Sequence, residues 1–488
     1  MAFRLRTIDP TTRFADLLSI DLFAQLLPQS QILAILHTTR RRERRVRKLS
    51  QAVIVWLIIA MNIWTHVSLA HVFQKLARGL RFVWPDPTLP WPTAGALCRR
   101  RYQLGVQPLA LLFHQRCQPL ATPATPGAFL FGYRLMAIDS TVEIMADTPS
   151  NDAFFGRLRS SRGTSAFPQV RAVYLVECGT HAIVDAGFWP CGTHERIGGH
   201  RMLRSLQPDM LLMWDRGFHS YAMVAETLQR GAQVLARFSM IGTPKIRQTL
   251  ADGSALIELT PADDGRLPDA QPIQLRLITY HLTDPALGNP TEVHRVVTSL
   301  LDPVQYPAAD LVCAYHERWE IEIVIDELDT HQRVVGRPLR SQQPVGVLQE
   351  LYGLLIAHYL IRTVMHEAAV RGELDPDRIS FVHAVRVIQD AIAESQMLDP
   401  DCLPLLYTRL LSDLRENLLP ARRVRMYPRV IKQKMSRFLR KRPEHETWPQ
   451  PTLPFPQAVA IIPDPLTDAP AKRPYRRSPR IPEPAAEA

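Results

Sequence analysis

Cysteine is scarce in this sequence and follows no metal-binding pattern. Six cysteines are spread over 488 residues, at Cys98, Cys117, Cys178, Cys191, Cys313 and Cys402. They form neither a Cys-x2-Cys pair nor the Cys/His spacing of a zinc site. We therefore expect reduced thiols of a cytoplasmic protein and no disulfide framework.

Long apolar runs and nucleotide-binding loops are also missing. The most apolar run, residues 52–64, is too short to span a bilayer and predicts a buried helix. The first residues lack the apolar segment of a signal peptide. No Walker A loop or Gly-x-Gly-x-x-Gly pattern occurs. We expect a cytoplasmic protein with no membrane association.

Acidic residues are outnumbered by basic ones. There are 58 Lys and Arg against 47 Asp and Glu, which gives a net charge of +11. This excess favours a polyanionic partner, with nucleic acid first and an anionic membrane surface second. Clusters at 40–48 and 99–101 suit phosphate contacts, so Arg99, Arg100 and Arg101 are candidate DNA-binding residues. The alternative is a set of Arg-rich helical faces that simply stay in water.

Composition and periodicity divide the chain into six segments. They are a helical N-terminal DNA-binding domain (1–125), the first part of an α/β core (126–240), a β-rich insertion (241–305), the second part of the core (306–375), a helical basic region (376–442) and a Pro-rich tail (443–488). The tail is poor in order-promoting residues, and we predict that it is largely disordered.

Two apolar strands of the core end in a carboxylate. Asp139 closes the run 133–139, and Asp215 closes the run 210–215. Strand ends are where an α/β core presents side chains to a ligand. Each aspartate also has a structural reading, because Asp139 can cap a turn and Asp215 can pair with Arg216 beside it.

A third carboxylate lies on a helix predicted over 310–330. At about 100° per residue, one narrow sector of this helix collects polar side chains. They are Tyr315, Arg318, Glu322, Asp326 and Asp329. Glu320 points away from that sector, which makes Glu322 the better candidate for chemistry. The alternative is a solvated helix with charge pairs four residues apart.

Three carboxylates brought together would repel one another unless a cation lies among them. Mg²⁺ prefers oxygen ligands and is usually held by one or two carboxylates, substrate phosphates and water. Two such ions about 3.5–4 Å apart activate an attacking hydroxyl and stabilise the leaving oxygen of a phosphoryl transfer. Asp185 and Asp302 are rival acids, one inside a predicted strand and one before a proline.

Three segments resemble the signature regions of DDE transposases of the insertion-sequence-4 family. They are AIDST at 137–141, MLLMWDRGF at 210–218 and YHERWEIE at 315–322. The similarity extends from about residue 15 to about residue 440. It implies a ribonuclease-H-like core, interrupted by a β insertion before the helix that carries the third acid.

The resemblance also implies roles for particular residues. The metal-binding triad falls on Asp139, Asp215 and Glu322, with Mg²⁺ or Mn²⁺ as the cofactor and two ions expected. The family signature Tyr-x2-Arg-x3-Glu-x6-Lys falls on Tyr315, Arg318 and Glu322, and the lysine position holds Asp329. In the family the tyrosine, arginine and lysine contact DNA phosphates near the cut. We add Arg216, beside the second acid, to the candidate DNA contacts.

The implied activity is DNA transposition by metal-dependent strand cleavage and strand transfer. The implied partners are double-stranded DNA, as terminal inverted repeats and as target, and a second copy of the chain in a synaptic complex. Such a protein works in the bacterial cytoplasm, on the nucleoid when bound to DNA. Two alternatives stay open: a weakened or inactive relative that only binds DNA, which Asp329 favours, and a nuclease without strand transfer.

Overall fold

A computed structural model shows how these segments are arranged. It describes residues 3–9, 11–43, 49–86, 88, 90–160, 163–238, 245–261, 271–287, 290–334, 336–420, 443 and 451–464. The basic residues 44–48 and 421–442 lie outside the described residues.

Helices make up the N-terminal region. They are α1 (Phe14–Leu17), α2 (Gln29–Thr38), α3 (Gln51–Ala60), α4 (Leu69–Leu76), α5 (Arg78–Val83), α6 (Ala94–Leu104) and α7 (Gln107–Arg116). Helix α3 begins at Ser50, whose hydroxyl accepts a hydrogen bond from the Val53 amide, and every residue of the helix is buried. The apolar run at 52–64 is therefore a core helix, as its length predicted.

Strands and short helices alternate in the next segment. They are β1 (Phe129–Leu130), β2 (Tyr133–Ile144), α8 (Pro149–Phe155), β3 (Arg159–Ser160), β4 (Gly163–Thr164), β5 (Gln169–Glu177), β6 (Ala182–Pro190), α9 (Glu195–Met202), β7 (Met210–Trp214), α10 (Tyr221–Gln229) and β8 (Gln233–Arg237). The apolar run of β7 is buried along its whole length, as expected of a parallel strand covered on both faces.

The core strands form one mixed sheet. Its order is β6-β5-β2-β7-β8, with β6, β5 and β2 antiparallel and β2, β7 and β8 parallel. Helix α9 packs against β5 and β6, and α10 packs against β8. This arrangement confirms the α/β class and the ribonuclease-H-like core.

The β-rich segment that follows lengthens the same sheet. Its strands are β9 (Lys245–Thr249), β10 (Ala255–Leu259), β11 (Ile273–Leu282) and β12 (His294–Thr298). Strand β12 pairs with β8 in antiparallel fashion, and the order continues through β11 and β10 to β9. Eleven strands of the described chain thus form one sheet. The expected insertion is continuous with the core.

The predicted helix over 310–330 is interrupted. Helix α11 (Ala308–Glu317) ends before Arg318, α12 (Glu320–Asp326) follows, and a π-helical turn (Glu327–Gln332) completes the segment. The prediction of one continuous α-helix was wrong at two places, because the chain forms a turn at Arg318 and Trp319 and a wider π-helical turn from Glu327 onward. There Glu327 accepts hydrogen bonds from His358 and Arg362, which no local pattern reveals.

A long helix joins the two halves of the molecule. Helix α13 (Pro344–Arg371) packs against α3, α7 and β6 and is followed by α14 (Phe381–Met397) and α15 (Leu403–Asp413). Among the described residues α13 is long and apolar enough to cross a membrane, but 78% of its most apolar stretch is buried inside the fold. Such burial is also found for the core helix of a soluble protein. Short 3-10 turns occur at Asp21–Phe23, Leu203–Ser205, Pro376–Arg378 and Pro400–Cys402.

Part of the predicted disordered tail is folded. Helix α16 (Phe455–Ala458) leads into β13 (Val459–Ile461), which pairs with β11. Asp464 is buried and accepts a hydrogen bond from Arg295 at 2.6 Å. The prediction was wrong for 451–464 because the edge of β11 supplies hydrogen bonds that composition does not show. Residues 444–450 and 465–488 lie outside the described residues.

Candidate active site

Two of the predicted acids lie side by side because their strands are neighbours. In the parallel pair β2–β7, Ala137 is opposite Met213. Asp139 and Asp215 each follow that pair by two residues, so the two carboxylates lie beside one another. Asp215 directly follows β7, as predicted. The prediction that Asp139 closes its strand was wrong, because β2 continues to Ile144 and its ladder with β5 includes Asp139. The Asp215 carboxylate accepts a hydrogen bond from the Gly217 amide at 2.8 Å.

Arg318 links the third acid to the first. Helix α12 packs against β2. Arg318 Nη1 lies 3.4 Å from Asp139 Oδ2, and Arg318 Nη2 lies 3.8 Å from Glu322 Oε1. The structure therefore brings Asp139, Asp215 and Glu322 together, as the sequence reasoning expected.

The electrostatics of Asp139 reflect this convergence. Burial raises the pKa of Asp139 to about 7, and the Arg318 guanidinium opposes that rise. The negative charges of Asp215 and Glu322 raise the pKa further. A hard divalent cation would relieve the same repulsion, and the donor set consists of the carboxylate oxygens that such a cation prefers.

A polar cleft opens beside the acids. Its volume is about 280 Å³, and it is lined by Asp215, Arg216, Arg237, Tyr315, Arg318, Trp319 and Glu322. The arginines give the cleft a positive wall opposite the carboxylates. Trp319 is 41% exposed there, whereas Trp214 is fully buried in the core. An anionic, phosphate-bearing ligand fits this combination of groups.

The tyrosine of the signature is anchored in this cleft. The Tyr315 hydroxyl donates a hydrogen bond to the Trp214 carbonyl at 3.3 Å. Burial raises the pKa of Tyr315, so the hydroxyl stays protonated and remains a donor. Arg216, directly after the second acid, is exposed at the cleft.

The three consecutive arginines on α6 differ in exposure and in hydrogen-bond partners. Arg99 is exposed. Arg100 donates to the Leu49 carbonyl at 2.9 Å and pairs with Glu43. Arg101 is buried and donates to Ser341 Oγ at 3.2 Å. Arg101 is buried and Arg100 is already paired with Glu43, so of these three arginines only Arg99 is free to contact a phosphate.

Asp329 lies outside the residues that line the cleft. It faces Arg333 Nη1 at 3.4 Å, and Arg333 also pairs with Glu143. Burial and the neighbouring Glu143 raise the pKa of Asp329 to about 8. Asp329 therefore belongs to a local charge cluster with Arg333 and Glu143.

The rival acids have structural partners. Asp185 is completely buried and accepts hydrogen bonds from Arg204 and Ser205. Asp302 accepts hydrogen bonds from the amides of Val304 and Gln305 and closes a turn. Neither acid lines the cleft.

Sequence reasoning missed two charged residues near the site. Arg237 is the last residue of β8 and lines the cleft, so the strand-end rule that found Asp215 would have found it. Glu195 begins α9, and its carboxylate accepts a hydrogen bond from Ser140, the neighbour of Asp139. An acid in the first turn of a helix is too common a signal to identify it.

A second group of possible metal ligands lies on another side of α12. His181 Nε2 is 2.7 Å from Glu320 Oε2 and 3.4 Å from Asp377 Oδ1. These atoms lie within 4.8 Å of one another. His181 also contacts Glu327, so the group belongs to a buried polar network that includes Arg362. Hydrogen bonding within this network accounts for the arrangement.

Comparison with known proteins gives matches over both halves of the chain. Residues 17–114 match the family model "Insertion element 4 transposase N-terminal", and residues 130–360 match "Transposase DDE domain". The chain is 26% identical over 436 residues to the transposase InsG of insertion sequence element IS4 from Escherichia coli K12. That match covers 87% of this chain and 93% of the relative.

Two further similarities were found. The putative transposase InsZ of Escherichia coli K12 is 24% identical over 214 residues, which cover 44% of this chain and 69% of the relative. Among solved structures, the piggyBac transposase in a synaptic complex with hairpin DNA is 14% identical, with a TM-score of 0.39. That match covers 86% of this chain and 89% of the other.

Proposed function

Because the chain belongs to the insertion-sequence-4 family of DDE transposases, we propose that Asp139, Asp215 and Glu322 form its metal-binding catalytic triad. The enzyme cuts and transposes DNA with the help of divalent metal. One observation carries the assignment of the residues. Arg318 contacts both Asp139 within β2 and Glu322, and Asp215 directly follows β7, the parallel neighbour of β2.

The cofactor that fits these residues is Mg²⁺ or Mn²⁺, and we propose two ions. When bound, they activate the attacking oxygen and stabilise the leaving oxygen of the phosphodiester. Asp139, Asp215 and Glu322 hold them. Burial of Asp139 keeps bulk water from competing for its oxygens.

The other residues of the cleft hold the DNA. Arg216 and Arg237 bind the phosphates on either side of the bond that is cut, and Arg318 orients the two acids that it contacts. The Tyr315 hydroxyl stays protonated and donates to a phosphate oxygen when it leaves the Trp214 carbonyl. Arg99 adds a backbone contact from the N-terminal region.

In the proposed reaction water first attacks the phosphodiester at the transposon end. The freed 3′-hydroxyl then attacks the target DNA, so that one site performs cleavage and strand transfer. The partners are terminal inverted repeats and target DNA, held by two copies of the chain in a synaptic complex. The domain boundaries given above and a location in the bacterial cytoplasm, on the nucleoid, belong to the same proposal.

Isosteric replacement of the acids tests the assignment. We expect Asp139→Asn, Asp215→Asn and Glu322→Gln each to reduce Mg²⁺-dependent nicking of DNA bearing the cognate ends by at least about 10³-fold, because each removes a charged ligand. Binding to the ends should persist in a gel-shift assay. Asp302→Asn and Glu226→Gln serve as matched controls and should cut normally.

Normal nicking by any of the three variants would refute its assigned role. The alternative of a DNA-binding relative without activity is favoured by one observation, Asp329 at the position of the family lysine. If that alternative holds, the unmodified protein will bind DNA that carries the cognate transposon ends but will not nick it in Mg²⁺ or Mn²⁺.

A further inference from the structure

Glu195 lies next to the site on α9, a different helix from the one that carries Glu322. It is the first residue of α9, and its Oε2 accepts a hydrogen bond from Ser140 Oγ at 2.7 Å. Ser140 directly follows Asp139 on β2. Since α9 packs against β2 and β5, the hydrogen bond fixes the Glu195 carboxylate beside the middle of β2.

Gly217 shows how close Glu195 comes to the second acid. A Cβ atom at this glycine would lie 2.5 Å from Glu195 Oε1 and 3.1 Å from Asp215 Oδ1. The two carboxylate oxygens therefore face the same small volume. A Cβ atom at position 217 would occupy the space that the two carboxylates share.

The charge of Glu195 is only partly compensated. Arg171 Nη1 lies 3.9 Å from Glu195 Oε2, on the side of the Ser140 hydrogen bond. Among the described residues, Oε1 makes no hydrogen bond, and the Glu195 side chain is 31% exposed. An oxygen that faces another carboxylate in this way is suited to share a cation with it.

We propose that Glu195 is a fourth acidic residue of the active site and helps to hold the divalent cation at Asp215. This inference rests on the proposed function of Asp215. Ser140 is the positioning residue that fixes the rotamer of Glu195. A purely structural role is the competing explanation, because an acid in the first turn of a helix also stabilises that helix.

Mn²⁺ binding to the full-length protein separates the two explanations. Glutamine at position 195 keeps the shape of the side chain, and its amide oxygen can still accept the Ser140 hydrogen bond. We expect Glu195→Gln to weaken Mn²⁺ binding about 10–100-fold in isothermal titration calorimetry. Ser140→Ala should weaken it in the same direction but by less.

Glu226→Gln is the matched control. Glu226 is 34% exposed and pairs with His200, so its replacement makes the same change of charge on a neighbouring helix. This variant should bind Mn²⁺ like the unmodified protein. The thermal midpoints of all variants without metal show whether the fold is intact.

Unchanged Mn²⁺ affinity of Glu195→Gln would overturn the inference. If that variant does not fold, Glu195→Asp decides, because it keeps the charge but draws the carboxylate back by one methylene: Mn²⁺ affinity weakened at least about tenfold in a folded variant supports the inference, and unchanged affinity overturns it. Asp215→Asn tests the premise separately. If it abolishes Mn²⁺ binding while Glu195→Gln does not weaken it, only the role of Glu195 fails. If Asp215→Asn binds normally, the proposed function itself fails.

Discussion

At Asp139, burial and like charges both disfavour the ionised side chain. The pKa of about 7, against an ordinary value of 3.8, means that the folded protein binds this proton more tightly than the unfolded chain does. Without metal, the free energy of unfolding therefore falls as the pH rises through this interval. A cation at the site would replace this proton and stabilise the ionised carboxylate of Asp139.

Metal binding should consequently depend on pH. Below pH 7 the cation must displace the proton of Asp139, so we expect Mn²⁺ affinity to fall by up to about tenfold for each pH unit. Above pH 7 the affinity should level off. Calorimetric titrations between about pH 5.5 and pH 8 measure this profile. Equal affinities at the two ends of that range would contradict the coupling between Asp139 and the metal.

The π-helical turn after α12 connects the helix that carries Glu322 to the centre of the molecule. Glu327 in this turn accepts hydrogen bonds from His358 Nε2 at 2.9 Å and from Arg362 Nε at 3.0 Å. Burial lowers the pKa of His358 to about 3, so this histidine is neutral, and lowers that of Arg362 to about 9. Arg362 is still charged at neutral pH and requires the Glu327 carboxylate.

We expect Glu327→Gln to lower the free energy of unfolding by about 3–5 kcal/mol, because the buried guanidinium of Arg362 loses its anionic partner. Urea denaturation followed by circular dichroism measures the change. Glu416→Gln, a replacement at an exposed position, should change it by less than about 0.5 kcal/mol. An unchanged denaturation midpoint for Glu327→Gln would show that the turn is held by apolar packing alone.

At the scale of the whole molecule, a segment late in the chain returns to the sheet and pairs with β11. Strand β13 covers the edge of β11, and Asp464 accepts hydrogen bonds from Arg295 and Thr279 inside the protein. The insertion that extends the core thus depends on residues far along the chain.

Removal of the chain after residue 450 should lower the thermal midpoint by roughly 5–15 °C, because a strand and a buried carboxylate are lost together. Differential scanning fluorimetry of the purified proteins measures it. A chain that ends at residue 466 keeps both features and is the matched control. If the two truncated proteins melt at the same temperature, β13 contributes nothing to stability.

Much of the core could be predicted because its signals are local. The apolar runs that end at Asp139 and Asp215 are visible in a few consecutive residues, and the helical period at 310–330 selected Glu322 over Glu320. The interruption of that helix could not be predicted in the same way. The π-helical turn that follows α12 places Glu327 against Arg362 and His358, which lie more than 25 residues away along the chain.

The sequence by itself indicated the alternation of strands and helices in the core, the positive charge and the three candidate acids, because each depends on residue type and spacing. Only the tertiary structure decided which charged side chains lie close together and which are buried. It buried Arg101, paired Asp329 with Arg333, and set Glu195 beside Asp215. Each of these outcomes is a contact between segments distant in the chain, and electrostatic energies depend on separation and burial rather than on position in the sequence.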